Sequence, residues 1–481
     1  MNNRIFIKIF FCLFLFLNLF LLSCSINNNL SSRIDFKTKA DKKISGILNS
    51  ERLNRTNVGV FAKSLKTGKI LCDYNSDKLF IPASTLKIIT AISALKILKP
   101  EFKFKTEFYT DGFIEKKTVA NIYIKGFGDP EFQYCDLEKI VLNLSERISE
   151  IKGGMFFDCS YYDKVLYGKG WMWDDLCLPF SAPVSALNIN GNRIRVSVDS
   201  KDSQEIKTTI FPDNDYIKIS NNISSGSNNI LINRIEKDGF ESFDFSGNFP
   251  VNENKTMFCS VIKPEYFFCA VLKTLLKKYN VKYSDNISIS EKKIPENAIL
   301  LERNFSNPLS LVIRNFLKSS DNLTGECLIK AIGAETSGET GNYINGLSQV
   351  NKFLDGIELD SNSHRIEDGS GLSRYNLVSP KTLSALLEFV YDDFSIYPEF
   401  CSGLPTSGTD GTLINRLNDE VSERRIRAKT GYMSGIRCIT GYIYANSKDV
   451  IVFSIMMNGI TGLTKPLADI QDEIINVLIQ N

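Results

Sequence analysis

The sequence predicts an α/β (α+β) protein whose main domain is assembled from both ends of the chain and split by a large, mostly β insertion. Two observations carry this expectation. Strongly apolar helical and strand patterns fill residues 30–103 and 301–481, whereas residues 104–300 read as short strands broken by Asn, Ser, Asp and Gly turns, forming two subdomains. The 481 residues also exceed what one core needs, at about 150 residues per domain.

The elements follow in order. Arg4 and Lys8 precede an apolar run from Ile9 to Leu22, then Ser23 and Cys24. A charged segment followed by an apolar one has the form of an export signal, and the run falls short of the ~20 residues a spanning helix needs. Leu21-Leu22-Ser23-Cys24 resembles a bacterial lipobox. Residues 1–23 are therefore expected to be removed, leaving a lipidated Cys24 that anchors an exported envelope protein to a membrane. A plain cleaved signal and an uncleaved anchor are the alternatives.

Residues 25–55 read as a polar linker and a first helix, and "VGVFAKSLKTGKILCDYN" as two alternating strands around Lys66-Thr67-Gly68. In "FIPASTLKIITAISALKIL", Ile88, Ile89, Ala91, Ile92, Ala94 and Leu95 cover most of a helical wheel, and Pro82 marks where the helix can start. Lys87 sits in this apolar helix one turn after Ser84. A buried lysine must find partners or shed its proton. Helical texture returns in "LSLVIRNFLKSSDNLTGECLIKAIGAE". The chain ends in a meander, "IRAKTGY", "RCITGYIYA" and "DVIVFSIMMN", and a helix from about Pro466.

Composition excludes several classes. A net charge of +2 with mixed signs gives nucleic acid no purchase. The single histidine, His364, lies in the polar, turn-like "SNSHRIEDGSG" and reads as a surface residue. A Ser-His-Asp triad or a histidine zinc site would have to rest on that one residue, and lysine is the main substitute for activating a nucleophile. Nine cysteines follow Cys24, with no C-x-x-C pair, mostly in apolar settings where a thiol acts as a small core residue. No metal and no cofactor is expected.

Three short motifs then stand out, each with a decoy. Ser-x-x-Lys recurs at Ser93/Lys96, Ser149/Lys152, Ser260/Lys263 and Ser290/Lys293, but only Ser84/Lys87 opens a buried helix. There the i, i+3 spacing puts hydroxyl and amine on neighbouring faces, and the helix N-terminus favours a neutral amine. Ser320-Asp321-Asn322 lies between two helical segments, while its copy Ser284-Asp285-Asn286 leads into a surface strand. Lys429-Thr430-Gly431 lies on a strand, while Lys66-Thr67-Gly68 is a hairpin tip.

In this order the trio is that of class A β-lactamases and penicillin-binding proteins. Ser84 would attack an amide carbonyl and Lys87, neutralised by burial and neighbouring cations, would take its proton. Ser320 would relay a proton to the leaving amine, and Asn322 would hold the substrate amide and Lys87. Lys429 and Thr430 would bind a terminal carboxylate. The backbone amides of Ser84 and Tyr432 would stabilise the oxyanion, at roughly 3–4 kcal/mol per donor.

From about residue 40 onward the chain resembles the D-alanyl-D-alanine carboxypeptidase/endopeptidase family of class C low-molecular-mass penicillin-binding proteins. The resemblance rests on "IPASTLKIITAISAL", "IYIKGFGDP", "GWMWDDLCLPFSAPVSALNINGN", "SSDNLTGE", "DGSGLSRYNLVSP", "LPTSGTDGTL" and "AKTGYMSG". It implies a penicillin-binding/serine β-lactamase-like transpeptidase domain carrying an insertion, with peptidoglycan stem peptides as substrates and β-lactam antibiotics as covalent inhibitors. It also implies that Asp158 and Arg374 face the stem-peptide side chain and that Thr430, Gly431 and Tyr432 line the substrate site. Tyr432 is bulkier than the small residue often found there. Two rivals remain: a serine β-lactamase, which the long insertion disfavours, and an idle peptidoglycan-binding lipoprotein, which the complete motif set disfavours.

Overall fold

Strands from the two ends of the chain meet in one sheet. The computed structural model describes residues 39–201, 206–237, 239–462 and 464–480. Cys24 and the signal-like segment lie outside the described residues. Among the described residues no helix is long and apolar enough to cross a membrane.

The frame contains α1 (Lys39–Leu48), β1 (Asn57–Ser64), β2 (Ile70–Tyr74) and α2 (Lys87–Ile97) from the first end. The second end supplies α3 (Leu309–Ser319), α4 (Asn322–Ser337), α5 (Pro380–Asp392), β3 (Ile426–Met433), β4 (Ile436–Tyr444), β5 (Val450–Asn458) and α6 (Lys465–Ile479). The sheet order is β3-β4-β5-β1-β2, antiparallel throughout. The hairpin tip between β1 and β2 holds Lys66-Thr67-Gly68.

Alternation along the strands explains the layering, since successive side chains point to opposite faces. On β5, Ile451, Phe453, Ile455 and Met457 pack with Ile470 and Ile474 of α6 and Ile44 of α1. Val452 and Met456 point the other way, into a core shared with α2, α3, α4 and α5. Helix α2 runs through that second core, with Ile88 to Leu95 at 0–1% exposure. A helix with no polar face can only be stable there. Truncating Ile92 would cost roughly 2–5 kcal/mol.

The insertion has its own core, including Phe108, Ile124, Phe245, Phe267 and Phe268. Its first strand, Lys105–Thr110, pairs antiparallel with its last, Ile299–Phe305, so both ends leave the frame side by side. Between them lie helices Tyr134–Arg147 and Pro264–Lys278 and a parallel pair, Ile122–Gly126 with Met155–Asp158. Three three-stranded sheets complete it among the described residues, one of them ordered Asn254–Ser260, Arg193–Asp199, Lys207–Phe211.

Candidate active site

The nucleophile's turn is built from backbone constraints. Pro82 leads into a tight 3₁₀ turn, Ala83–Leu86, that runs directly into α2. Ala83 has φ +47°, a left-handed conformation that costs an alanine about 1–2 kcal/mol. Two glycines press against the turn. A Cβ on Gly371, itself at φ +84°, would lie 2.0 Å from the Ala83 carbonyl oxygen. A Cβ on Gly431 of β3 would lie 2.6 Å from the Pro82 carbonyl oxygen. Any larger residue would displace Ser84.

Lys87 is fully buried. Its Nζ donates to Ser84 Oγ at 3.0 Å, to Asn322 Oδ1 at 2.6 Å and to the Ser370 carbonyl at 2.6 Å. Those bonds use all three donors of an ammonium group. Burial pushes its pKa down to about 8, opposed by the charges of Asp368, Asp321 and Glu326. Of the expected neighbouring cations, Lys429 is itself the one pushed down: burial first, then the Lys87 charge, take it well below the ordinary lysine value.

Two buried carboxylates hold the loop that supplies the Ser370 carbonyl. Glu326 of α4 accepts the Gly369 and Ser370 amides at 3.0 and 2.8 Å. Asp368 accepts the Gly371 and Ser373 amides and the Trp171 indole. Burial, then the Asp368 charge, push Glu326 up to about 7.

The second motif occupies the joint between α3 and α4. Ser320 ends α3 at φ +61°, and Asp321 caps α4 by accepting the Thr324 amide at 2.9 Å. Arg193, from the insertion, pairs with Asp321. Burial pushes Asp321 up, but Arg193 and the Thr324 bonds outweigh it and hold the carboxyl below the usual range. Asn322 donates from Nδ2 to the Phe180 carbonyl at 2.8 Å, also in the insertion. The insertion thus braces the motif from outside the frame.

On β3, Lys429 Nζ donates to the Thr430 carbonyl at 2.9 Å, and Thr430 Oγ1 donates to Thr412 Oγ1 at 2.7 Å. Ser84, Ser320, Asn322, Thr430 and Tyr432 line one cleft of about 640 Å³. Gly431 lies behind it against the nucleophile's turn. Tyr432 is 62% exposed at the rim, with the Arg437 guanidinium 5.1 Å from its ring centre. The three motifs converge, and the decoys do not.

Arg374 lines the same cleft, its guanidinium nitrogens 3.4 Å from the Ser434 carbonyl. Asp158 does not. It is 3% exposed at the end of its strand, accepts the Ser160 and Ile294 amides, and lies 3.5 Å from Lys125 Nζ. The carboxylates that line the cleft with Arg374 are Asp174 and Asp175, with Met172 and Phe180 beside them. Their signal was a pair of adjacent acids in "GWMWDDL", a stretch with no periodicity to orient them. His364 is half-buried on a short strand rather than a surface residue, and does not line the cleft.

Known proteins resemble the chain over most of its length. The model of the D-Ala-D-Ala carboxypeptidase 3 (S13) family matches residues 40–480. The chain is 26% identical over 428 residues to D-alanyl-D-alanine carboxypeptidase DacB of Haemophilus influenzae, covering 84% of this chain and 86% of that one. It is 27% identical over 459 residues to a D-alanyl-D-alanine carboxypeptidase of Actinomadura sp. (strain R39), covering 91% and 84%. The crystal structure of penicillin binding protein 4 from Haemophilus influenzae superposes with a TM-score of 0.81 at 24% identity, over 91% of this chain and 99% of that one. With the family model spanning nearly all the described residues, the chain belongs to the D-Ala-D-Ala carboxypeptidase 3 (S13) family and is a serine-type carboxypeptidase.

Proposed function

We propose that the protein removes the terminal D-alanine from peptidoglycan stem peptides, and opens peptide cross-links, through an acyl-enzyme on Ser84. The observation that carries this reading is the Lys87 amine, buried and bonded at once to Ser84 Oγ and Asn322 Oδ1. Once neutral, Lys87 keeps two N–H donors and gains a lone pair, so the Ser84 hydroxyl can turn and donate to it. Ser84 Oγ attacks the D-Ala-D-Ala carbonyl as its proton passes to Lys87. The oxyanion lies between the amides of Ser84 and Tyr432. The Ser320 hydroxyl relays that proton from Lys87 to the leaving D-alanine nitrogen, which leaves Lys87 neutral again, and the D-alanine carboxylate stays with Lys429 and Thr430. Water then releases the acyl group with Lys87 again as base.

The specificity pocket is the Arg374 side of the cleft. Arg374 opposite Asp174 and Asp175 suits a stem-peptide side chain bearing both an amine and a carboxylate. Asp158 acts instead by bracing the insertion. β-Lactams acylate Ser84 because their ring amide mimics the scissile bond, and the likeness to a penicillin binding protein supports this. Action on cell-wall peptide fits an exported protein, and Cys24 supplies its lipid anchor.

The test is D-alanine release from a pentapeptide stem ending in D-Ala-D-Ala. Wild type should release it and Ser84→Ala should not. Equal release by both would overturn the assignment of Ser84, and none by either would favour an idle binding protein.

A further inference from the structure

The insertion sets two thiols against each other beside the cleft wall. Cys177 lies between Asp175 and Phe180, in the irregular stretch that supplies Met172, Asp174, Asp175 and Phe180 to the cleft. Cys259 is buried on the strand Asn254–Ser260. Two hydrogen bonds staple that strand to the wall: the Ser260 amide donates to the Cys177 carbonyl at 3.1 Å, and Ser260 Oγ donates to the Leu176 carbonyl at 2.6 Å. Arg234 fixes the same spot by donating to the Ser260 carbonyl at 2.6 Å. The peptide joining Cys259 to Ser260 therefore runs directly beside Cys177. A disulfide spans about 4.4–6.8 Å between Cα atoms, the scale of such a backbone neighbourhood. The two thiols are also near enough for each to shift the other's ionisation.

We propose that Cys177 and Cys259 are joined by a disulfide in the mature protein, pinning the wall of the cleft to the insertion's sheet. The thiol pair is primed for the reaction. The neighbouring Cys259 thiol, aided by Arg234, pushes Cys177 down to about 7 against its burial, while Cys259 is pushed up. The thiolate is the attacking form, and Cys177 is the more accessible partner.

The oxidant is another disulfide, of a small thiol or of a protein. Cys177 thiolate attacks one of its sulfurs, forming a mixed disulfide and expelling one thiolate. Cys259 then loses its proton and attacks the Cys177 sulfur, expelling the second. The two cysteines give up two electrons and two protons, and the oxidant is reduced to two thiols. The consequence concerns the wall's order. Its residues belong to no helix or strand longer than a 3₁₀ turn, namely Trp173–Asp175 and Pro179–Ser181, so a covalent tie between those turns restrains them both.

The experiment treats the protein with oxidised glutathione, alkylates without reduction, and maps the cross-links by mass spectrometry. Cys177 should be linked to Cys259, with Cys72, Cys327 and Cys438 unlinked. Reduction should then speed tryptic cleavage after Lys164 and Lys169, on the same stretch, at least about threefold, as local opening becomes easier. Cys259→Ser should show the faster rate in both redox states. Alkylation of both Cys177 and Cys259 after oxidation would overturn the proposal, as would a link that leaves the cleavage rate unchanged. Neither readout depends on peptidase activity, so its failure is separable from failure of D-alanine release.

Discussion

Acylation of Ser84 should follow the deprotonation of Lys87. In its resting arrangement Nζ spends three donors on Ser84, Asn322 and Ser370, which is the bonding of an ammonium. To accept the Ser84 proton it must first lose one of its own. Burial lowers its pKa to about 8, against an ordinary lysine value of 10.5. A lowered lysine pKa enlarges the neutral fraction below 10.5, and that fraction still shrinks as pH falls. About a tenth of the enzyme is then competent at pH 7 and about a hundredth at pH 6, so the rate should climb roughly tenfold per unit and level off above 8. The assay is the second-order rate constant for labelling by a fluorescent penicillin between pH 6 and 10, with Lys87→Ala as control. That variant should lose about 10²–10⁴-fold in rate, the usual contribution of a positioned base. A rate flat between pH 6 and 8, or an inflection near 10.5, would refute a neutral Lys87 as the base. So would near wild-type acylation by Lys87→Ala.

Three further outcomes follow from the site. Gly371→Ala should cut acylation by about 5–150-fold, because its Cβ would overlap the Ala83 carbonyl at a φ that alanine resists, costing about 1–3 kcal/mol of local strain; an unchanged labelling rate would show that the turn is not held by this contact. Arg193→Ala removes the charge that keeps the Asp321 carboxyl low. It should lower the thermal midpoint at pH 7, and the gap from wild type should narrow as acid protonates Asp321 in both proteins. A gap constant with pH would show that the pair contributes through packing alone. Lys429→Ala should raise KM for a substrate with a free terminal carboxylate far more than for its amide. In the wild type KM should also rise with pH, since Lys429 must hold a proton to attract the carboxylate; equal effects on both substrates would place the carboxylate elsewhere.

The frame was legible wherever one face, or every face, of an element had to be buried. The run Ile88–Leu95 could be nothing but an interior helix, and the lysine within it marked the site. Its place at the mouth of the buried helix separated Ser84 from Ser93, whose hydroxyl is buried in the core rather than aimed at the cleft. The insertion was read less well. Its turn-rich composition hid two helices, although Leu137, Ile140, Val141 and Leu144 have helical spacing and are buried together. Its parallel pairing of Ile122–Gly126 with Met155–Asp158 joins strands separated by a helix, which no local pattern reports. Asp158 was expected at the cleft, but a carboxylate closing a strand end satisfies neighbouring amides instead. Asp174 and Asp175 escaped notice because long-range contacts alone orient an irregular loop. Arg193, placed by a strand of the insertion, was invisible for the same reason.

The central claim is that Ser84 carries the acyl group and that this chain is a peptidase rather than a β-lactamase. A β-lactam keeps its leaving group tethered after ring opening, so an enzyme that relies on departure of the first product stalls as a covalent adduct. The decisive measurement is the intact mass of the protein over time after adding penicillin, followed by peptide mapping. One penicilloyl group should form on Ser84 and last minutes or longer, absent in Ser84→Ala and retained in Ser93→Ala. Rapid penicillin turnover with no accumulating adduct, or an adduct on any other residue, would contradict that claim.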